Sequence, residues 1–287
     1  MDYQCGCCEC VFRPLDVKLR LQIMIIKMSM YFMPLRHLTT LCLLAPLSVH
    51  AGILDWSNTE IQYLHGSGYQ MPKNPNAIDR SIITVSHADG WSLGRNFFFL
   101  DTLISEEGEP SQVNVYGELY SYFSLNKVTG RDGVFGPIKD LNATLGVNMG
   151  ENLDINPTSG TRVLLYGGTV DLNIPGFKLF NIDFLCHNIT EPVATGNSLQ
   201  ITTVWKLPFS IANTHWSFEG FADYIGAKTD QYAENFLAQP QIRLDIGDFF
   251  GSPNRVEIGL EYQYWHNKYG IKGFTESLPQ TLIVWKF

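Results

Sequence analysis

The sequence predicts an all-β fold, a transmembrane antiparallel β-barrel of about 12 strands, and three observations carry that prediction. The first is residues 113–125, VNVYGELYSYFSL, where Val113, Val115, Gly117, Leu119, Ser121, Phe123 and Leu125 alternate with Asn114, Tyr116, Glu118, Tyr120, Tyr122 and Ser124. A period of two held this long exceeds the ~5–6 residues of an ordinary strand. It suits a tilted strand, which needs ~9–11 residues to cross ~30 Å of hydrocarbon. The second is the return of the same alternation from Asp55 to the end of the chain. The third is composition: 17% charged residues, below the roughly 25% usual in soluble domains, with no apolar run of the ~18 residues that a membrane helix requires.

The barrel is expected over residues 52–287. Arg36 and His37 precede an apolar stretch, Leu38–Leu47, and Val49-His50-Ala51 supplies a cleavage site, so residues 28–51 read as a secretory signal cut after Ala51. Residues 1–27 read as an extension from an upstream start codon, with Met28, Met30 or Met33 as the better start. Cys5, Cys7, Cys8 and Cys10 fall in that extension with no histidine near them, so no metal site or other cofactor is expected. Cys42 lies in the signal, which leaves Cys186 alone and no intrachain disulfide. The first 51 residues hold five of the 20 basic and three of the 28 acidic side chains, so the remainder carries a net charge of −10. Such acidity excludes nucleic acid as a partner.

In chain order, the first strand is expected at Trp56–His65 and the second at Asp79–Ala88, across a polar loop with Pro72 and Pro75. Asp89-Gly90 predicts a tight turn into Trp91–Thr102. An acidic loop (Glu106, Glu107, Glu109) leads to the Val113–Leu125 strand, followed by Leu141–Met149 and Thr161–Leu172. Ile174-Pro175-Gly176 turns the chain into Phe177–Asn188, where Phe180, Ile182, Phe184 and Cys186 alternate with Asn181, Asp183 and His187. Ser198–Leu207 sets Leu199, Ile201, Thr203, Trp205 and Leu207 against Gln200, Thr202 and Lys206. His215–Ala227 and Leu237–Ile246 follow, then Arg255–Trp265 with Val256, Ile258, Leu260, Tyr262 and Tyr264 opposite Glu257, Glu261 and Gln263. The last strand, Thr281–Phe287, ends the chain on an aromatic residue, with Ile283 and Trp285 on the same face. That pattern resembles the terminal signal read by the barrel-assembly machinery.

Connections are expected to alternate, with short turns and both termini on the periplasmic side and longer polar loops outside. The oily rows would face outer-membrane lipid and lipopolysaccharide, and Trp56, Trp91, Trp205, Trp216, Tyr262, Tyr264 and Trp285 would form girdles at headgroup level. A soluble ligand-carrying barrel is the alternative that these outward aliphatic rows oppose.

Ser124-Leu125-Asn126-Lys127-Val128-Thr129, followed by Val134-Phe135-Gly136-Pro137-Ile138-Lys139-Asp140, resembles a stretch shared by the Tsx-like family of nucleoside-specific channel-forming outer-membrane proteins. Asp55-Trp56, Asp89-Gly90-Trp91 and Trp265-His266-Asn267 look similar as well. The resemblance implies a monomeric twelve-stranded barrel in the bacterial outer membrane, with a narrow lumen that binds nucleosides or similar small solutes weakly. A second reading within the resemblance is a broader porin whose exposed loops serve as a phage receptor. The family's binding residues do not transfer by position, so site candidates come from the strand faces alone.

A nucleoside offers a π-face and a ring of donors and acceptors. A path for it needs aromatic surface interleaved with carboxylates and amides, since stacking is worth ~1–3 kcal/mol per base. Tyr116, Glu118, Tyr120 and Tyr122 supply that on one wall, with Tyr120 central. Asp183, Glu219, Phe221, Asp223, Gln241, Arg243, Glu257 and Glu261 supply it elsewhere, although porin lumens are polar in any case. A barrel phospholipase is disfavoured: His187-Asn188, His215 and His266-Asn267 lack that family's histidine-x-serine-asparagine motif. No catalytic residue is therefore expected.

Overall fold

The computed structural model describes residues 54–72, 74–105, 111–131, 136–153, 160–191, 196–228 and 232–287. The expected extension and signal, the cysteines at 5–10 and the acidic loop residues Glu106, Glu107 and Glu109 lie outside the described residues. Twelve strands make up the barrel: β1 (Leu54–Tyr69), β2 (Ile78–Trp91), β3 (Gly94–Ser105), β4 (Val113–Ser124), β5 (Ile138–Asn152), β6 (Gly160–Leu172), β7 (Leu179–Glu191), β8 (Gly196–Ile211), β9 (Thr214–Ile225), β10 (Asn235–Asp245), β11 (Val256–His266) and β12 (Glu276–Lys286). Each strand pairs antiparallel with its sequence neighbours, and β1 pairs with β12 from Glu60↔Lys286 to Gly66↔Gln280. That last ladder removes the edges that hydrocarbon could not satisfy.

The alternating register, interrupted by shifts between Leu54 and Trp56, Ser67 and Tyr69, Ile138 and Asp140, and Arg162 and Val163, gives every strand two faces. Leu119, Leu145, Leu164, Phe184, Leu199, Leu260 and Ile283 are exposed on the outer one. Exposed rows of this kind would associate in water, and lipid is the solvent that matches them. Strand lengths of 11 to 16 residues carry the sheet past the hydrocarbon at both ends.

The end of the barrel where β1 starts and β12 finishes is here called the base, and the other end the mouth. Outward aromatics gather at the base: Trp91 meets Phe123 edge-on at 6.0 Å, Phe209 stacks on Trp216 at 6.5 Å and Trp285 on Phe287 at 5.5 Å. Tyr262 and Tyr264 stand toward the mouth, with Phe236 6.3 Å from Tyr264. Trp56 departs from the expected girdle. It shares the inward parity of Asn58 and Glu60, and its indole lies over Gly90, where any Cβ would clash with it.

The connections also differ from expectation. Asp89 and Gly90 belong to β2, paired with Asn96 and Arg95, and the reversal is Ser92-Leu93. Asp89 is held in the ladder by Asn96, whose side-chain amide donates to it at 2.9 Å, so a turn-forming dipeptide is overridden by pairing. Ile174-Pro175-Gly176 does turn as expected, with Phe177 N–H donating to Ile174 O at 3.0 Å and Gly176 at φ 88°. Short and long connections do not alternate cleanly. Two base-side connections are long, one carrying α1 (Leu125–Thr129) and another the 3₁₀ turn Gly247–Phe250. β12 begins at Glu276, five positions before the expected start, because Pro279 sits outward and leaves the inward row Glu276, Leu278, Gln280 intact.

Candidate solute path through the lumen

The inward face is set by the same alternation, and it carries all twelve candidate residues. They do not form one site. At the base, Arg243 lies between three carboxylates: Glu60 at 3.1 Å, Glu219 at 3.3 Å and Glu257 at 3.4 Å. Lys206 pairs with Glu219 at 2.7 Å, and Lys286 reaches Glu257 and, at 3.8 Å, Glu60. Three cations thus balance three carboxylates, all largely buried. β10 and β1 are three strands apart round the ring, roughly 14 Å along the sheet. The Arg243–Glu60 contact is therefore a chord across the lumen.

A second chord joins β3 to β6. Arg95 forms a two-pronged pair with Asp171 at 2.6 and 2.7 Å, Asn142 donates to the same carboxylate at 3.0 Å, and the guanidinium covers the Tyr122 ring at 4.3 Å. A third runs from β4 to β7, where Tyr122 donates to Asp183 at 3.2 Å. Side chains bridging strands three apart mean a narrow passage at the base.

The middle of the lumen is built differently. Tyr116, Glu118, Tyr120 and Tyr122 project inward from β4 one pleat apart, so neighbours touch. Tyr116 donates to Glu118 at 2.5 Å and Tyr120 to its other oxygen at 2.9 Å, while the Tyr120 and Tyr122 rings stack at 6.2 Å. Val163, Leu165, Leu185 and Ile189 pack against these two tyrosines, giving an apolar backing to a polar wall. Asp223 on β9 takes a hydrogen bond from Thr202 and lies within Coulombic reach of Glu118 and Asp183. Phe221 shares its inward parity, opposite Gln239. Glu261 belongs to another wall, accepting from Gln241 at 2.5 Å and Gln280 at 2.8 Å.

That other wall also overturns the expectation of a uniformly polar lumen. Leu64, Ile82, Leu278, Leu282 and Val284 face inward from β1, β2 and β12 and pack with Tyr69 and Ile78 into a buried apolar cluster. Once the passage is this narrow, facing side chains fill it, and apolar filling needs no partners.

At the mouth, Lys268 is buried and bonds Glu276 at 2.7 Å and Gln70 O at 3.0 Å, with the Trp265 and Tyr269 rings within 5.3 Å. Gln263 and the Gln70 N–H complete Glu276, each at 2.5 Å. Lys228, in the β9–β10 connection, donates to His187 Nδ1 and His187 O at 2.7 Å. Burial draws its ammonium down to about 8.

Ser124, α1 and Asp140 form a bracket at the base, while Val134 and Phe135 of the same pattern lie outside the described residues. Ser124 caps α1, accepting from Lys127 N–H at 3.0 Å and donating to Asp140, while Gly130 closes the helix at φ 66°. The other oxygen of Asp140 accepts Asn126 N–H at 3.1 Å and Leu141 N–H at 2.9 Å. Lys127 then reaches Asp55 at 2.7 Å and Trp91 O at 2.5 Å, tying α1 to β1 and to the β2–β3 turn. Three separated segments meet there through short, directional contacts.

Strand parity alone pointed to the candidate residues, not to their partners. Glu60, Arg95, Asp171 and Lys286 were not singled out, because a chord across a closed ring has no signature along the chain.

A family model described as "Nucleoside-specific channel-forming protein, Tsx" matches residues 56–281. The outer membrane protein OmpK of Vibrio parahaemolyticus is 22% identical over 256 residues, covering 83% of this chain and 92% of that protein. Among solved structures, the translocator domain of the autotransporter NalP from Neisseria meningitidis is 12% identical, with a TM-score of 0.43 over 83% of this chain and 90% of that one. The β domain of the Bordetella autotransporter BrkA is 8% identical, with a TM-score of 0.36 over 81% and 99%.

Proposed function

The chain belongs to the Tsx family of channel-forming outer-membrane proteins, and from that premise we propose that its barrel lets nucleosides diffuse passively into the periplasm along the tyrosine wall of β4. The carrying observation is the ladder Tyr116–Glu118–Tyr120–Tyr122, where rings and a carboxylate alternate at one pleat spacing beside an apolar backing. A base stacks on the rings while ribose hydroxyls donate to Glu118, and each contact is modest, as a path that must release its solute requires. Asp183, Phe221 and Asp223 extend this wall. Glu219, Arg243 and Glu257 serve the base as braces, and Glu261 the opposite wall.

The C-terminal strand, with Trp285 stacked on Phe287 on the lipid side, is read as the segment offered to the assembly machinery. The test is uptake of labelled adenosine by proteoliposomes holding the purified protein. Competition by unlabelled thymidine and not by glucose supports the reading. Equal competition by both sinks it in favour of a broader porin.

A further inference from the structure

Three acceptor atoms in the middle of the lumen have no hydrogen-bond partner among the described residues: Asn148 Oδ1, Gln200 Oε1 and Asp223 Oδ1. Asn148 and Gln200 are 5% and 2% exposed. Asn148 sits on β5 directly opposite Glu118 of β4, and Asp223 on β9 directly opposite Thr202 of β8. Gln200 uses its amide N–H on Thr202 at 2.9 Å, which leaves its carbonyl oxygen unmatched. Two facing walls therefore present two carboxylates and two amide oxygens. Neither Glu118 nor Asp223 is in an ion pair among the described residues, and the groups that hold them, Tyr116, Tyr120 and Thr202, are neutral. This contrasts with the base, where Glu60, Glu219, Glu257 and Asp171 each meet a cation.

A buried cluster made of acceptors lacks two things, hydrogen-bond donors and positive charge, because unmatched buried acceptors and like charges facing each other are both costly. A neutral hydroxyl supplies only the first. An ammonium supplies both, with three donors on one small charge, and the Tyr116 and Tyr120 rings beside Glu118 add π-faces that favour an organic cation. A bare divalent ion fits less well. It wants six or more oxygens in a regular shell, and no group of three His, Cys, Asp or Glu able to hold one occurs among the described residues.

We propose that the mid-lumen cluster of Glu118, Asp223, Asn148 and Gln200 is a binding site for the primary ammonium group of an organic solute. The site shares a wall with the nucleoside path and stands without it: the missing partner is defined by charge and donors, with no appeal to a base.

The test is equilibrium calorimetry on the protein expressed from the full chain and purified from outer membranes in detergent, with heat-modifiable gel migration as the check of barrel closure. Putrescine is compared with its neutral counterpart 1,4-butanediol, with magnesium chloride as the inorganic control. The expected result is putrescine binding about tenfold or more tighter than the diol, the scale of one desolvated cation contact, with the preference lost in Asp223→Asn and in Glu118→Gln. Equal binding of amine and diol, or binding of neither, overturns the proposal. Magnesium displacing putrescine at equal concentration reassigns the cluster to a bare ion and overturns it too, as does a preference that survives both variants. The comparison on the unaltered protein needs no variant to fold. Adenosine titrated separately keeps the two readings apart: an adenosine signal without an amine preference sinks only this proposal, and the reverse sinks only the nucleoside path.

Discussion

The base and the middle of the lumen use the same residue types in opposite ways. At the base, Arg243, Lys206 and Lys286 neutralise Glu60, Glu219 and Glu257, and Arg95 neutralises Asp171 across the ring. In the middle, Glu118 and Asp223 are held by tyrosine and threonine hydroxyls and meet no cation among the described residues. A charge paired within the wall braces the wall, whereas a charge held only by neutral hydroxyls keeps the capacity to receive a solute. Polarity alone therefore does not separate a brace in the wall from a group left with something to accept.

If this division holds, substitutions at the base should cost stability and substitutions in the middle should cost recognition. The largest effect is expected for Arg243→Met. It leaves three buried carboxylates to two lysines, with Glu60 keeping only Lys286 at 3.8 Å, and removing one partner from a buried ionic cluster typically costs ~3–5 kcal/mol. The urea midpoint for folding into lipid vesicles should fall accordingly, and an unchanged midpoint would mean that the chord carries no load. Next comes Tyr120→Ala, which removes one stacking surface worth ~1–3 kcal/mol for a base, so half-maximal adenosine block should require about tenfold more solute. Tyr120→Phe keeps the ring and should stay near the unaltered value; a loss equal to that of alanine would shift the weight from stacking to the bond with Glu118.

A smaller effect is expected from Asp140→Ala in the α1 bracket. It frees the Asn126 and Leu141 N–H groups and the Ser124 hydroxyl, at a cost of ~1–2 kcal/mol in the folding midpoint. Solute block should be untouched, because the bracket lies outside the lumen. The smallest is a pH effect at the mouth. Lys228 binds its proton less tightly in the folded barrel than in the unfolded chain, with burial drawing it down to about 8. Its cost to stability is therefore fully present below pH 8 and is relieved as pH rises from there toward the ordinary lysine range, so the folding midpoint should increase over that window. Lys228→Met should flatten this increment, measured as the difference between the two proteins at each pH.

Much of the fold was legible because a closed barrel writes its two faces into the sequence with a period of two. The row Phe180, Ile182, Phe184, Cys186 and its partner row Asn181, Asp183, His187 stand on the faces that alternation assigns. Local signals fared unevenly. Pro175-Gly176 turns the chain because nothing competes with it, while Asp89-Gly90 loses to the ladder that pairs Asp89 with Asn96. All the candidate residues face inward, but their division into ion-paired and unpaired groups was not readable, since Arg243–Glu60 and Arg95–Asp171 join residues 183 and 76 positions apart. The apolar lumen cluster was missed for a related reason. Leu64, Leu278 and Leu282 are apolar side chains that the closed register puts in line with Glu60 and Gln280 on the inward face, where polar residues were expected.

The central claim, that the β4 tyrosine wall recognises nucleosides, is tested most directly by single-channel current through the protein in a planar bilayer. The current is titrated with adenosine and thymidine, with sugars and amino acids as controls. The account predicts saturable block by nucleosides alone, weakened in Tyr120→Ala. Steady conductance that no nucleoside blocks, or block that Tyr120→Ala leaves unchanged, would contradict it.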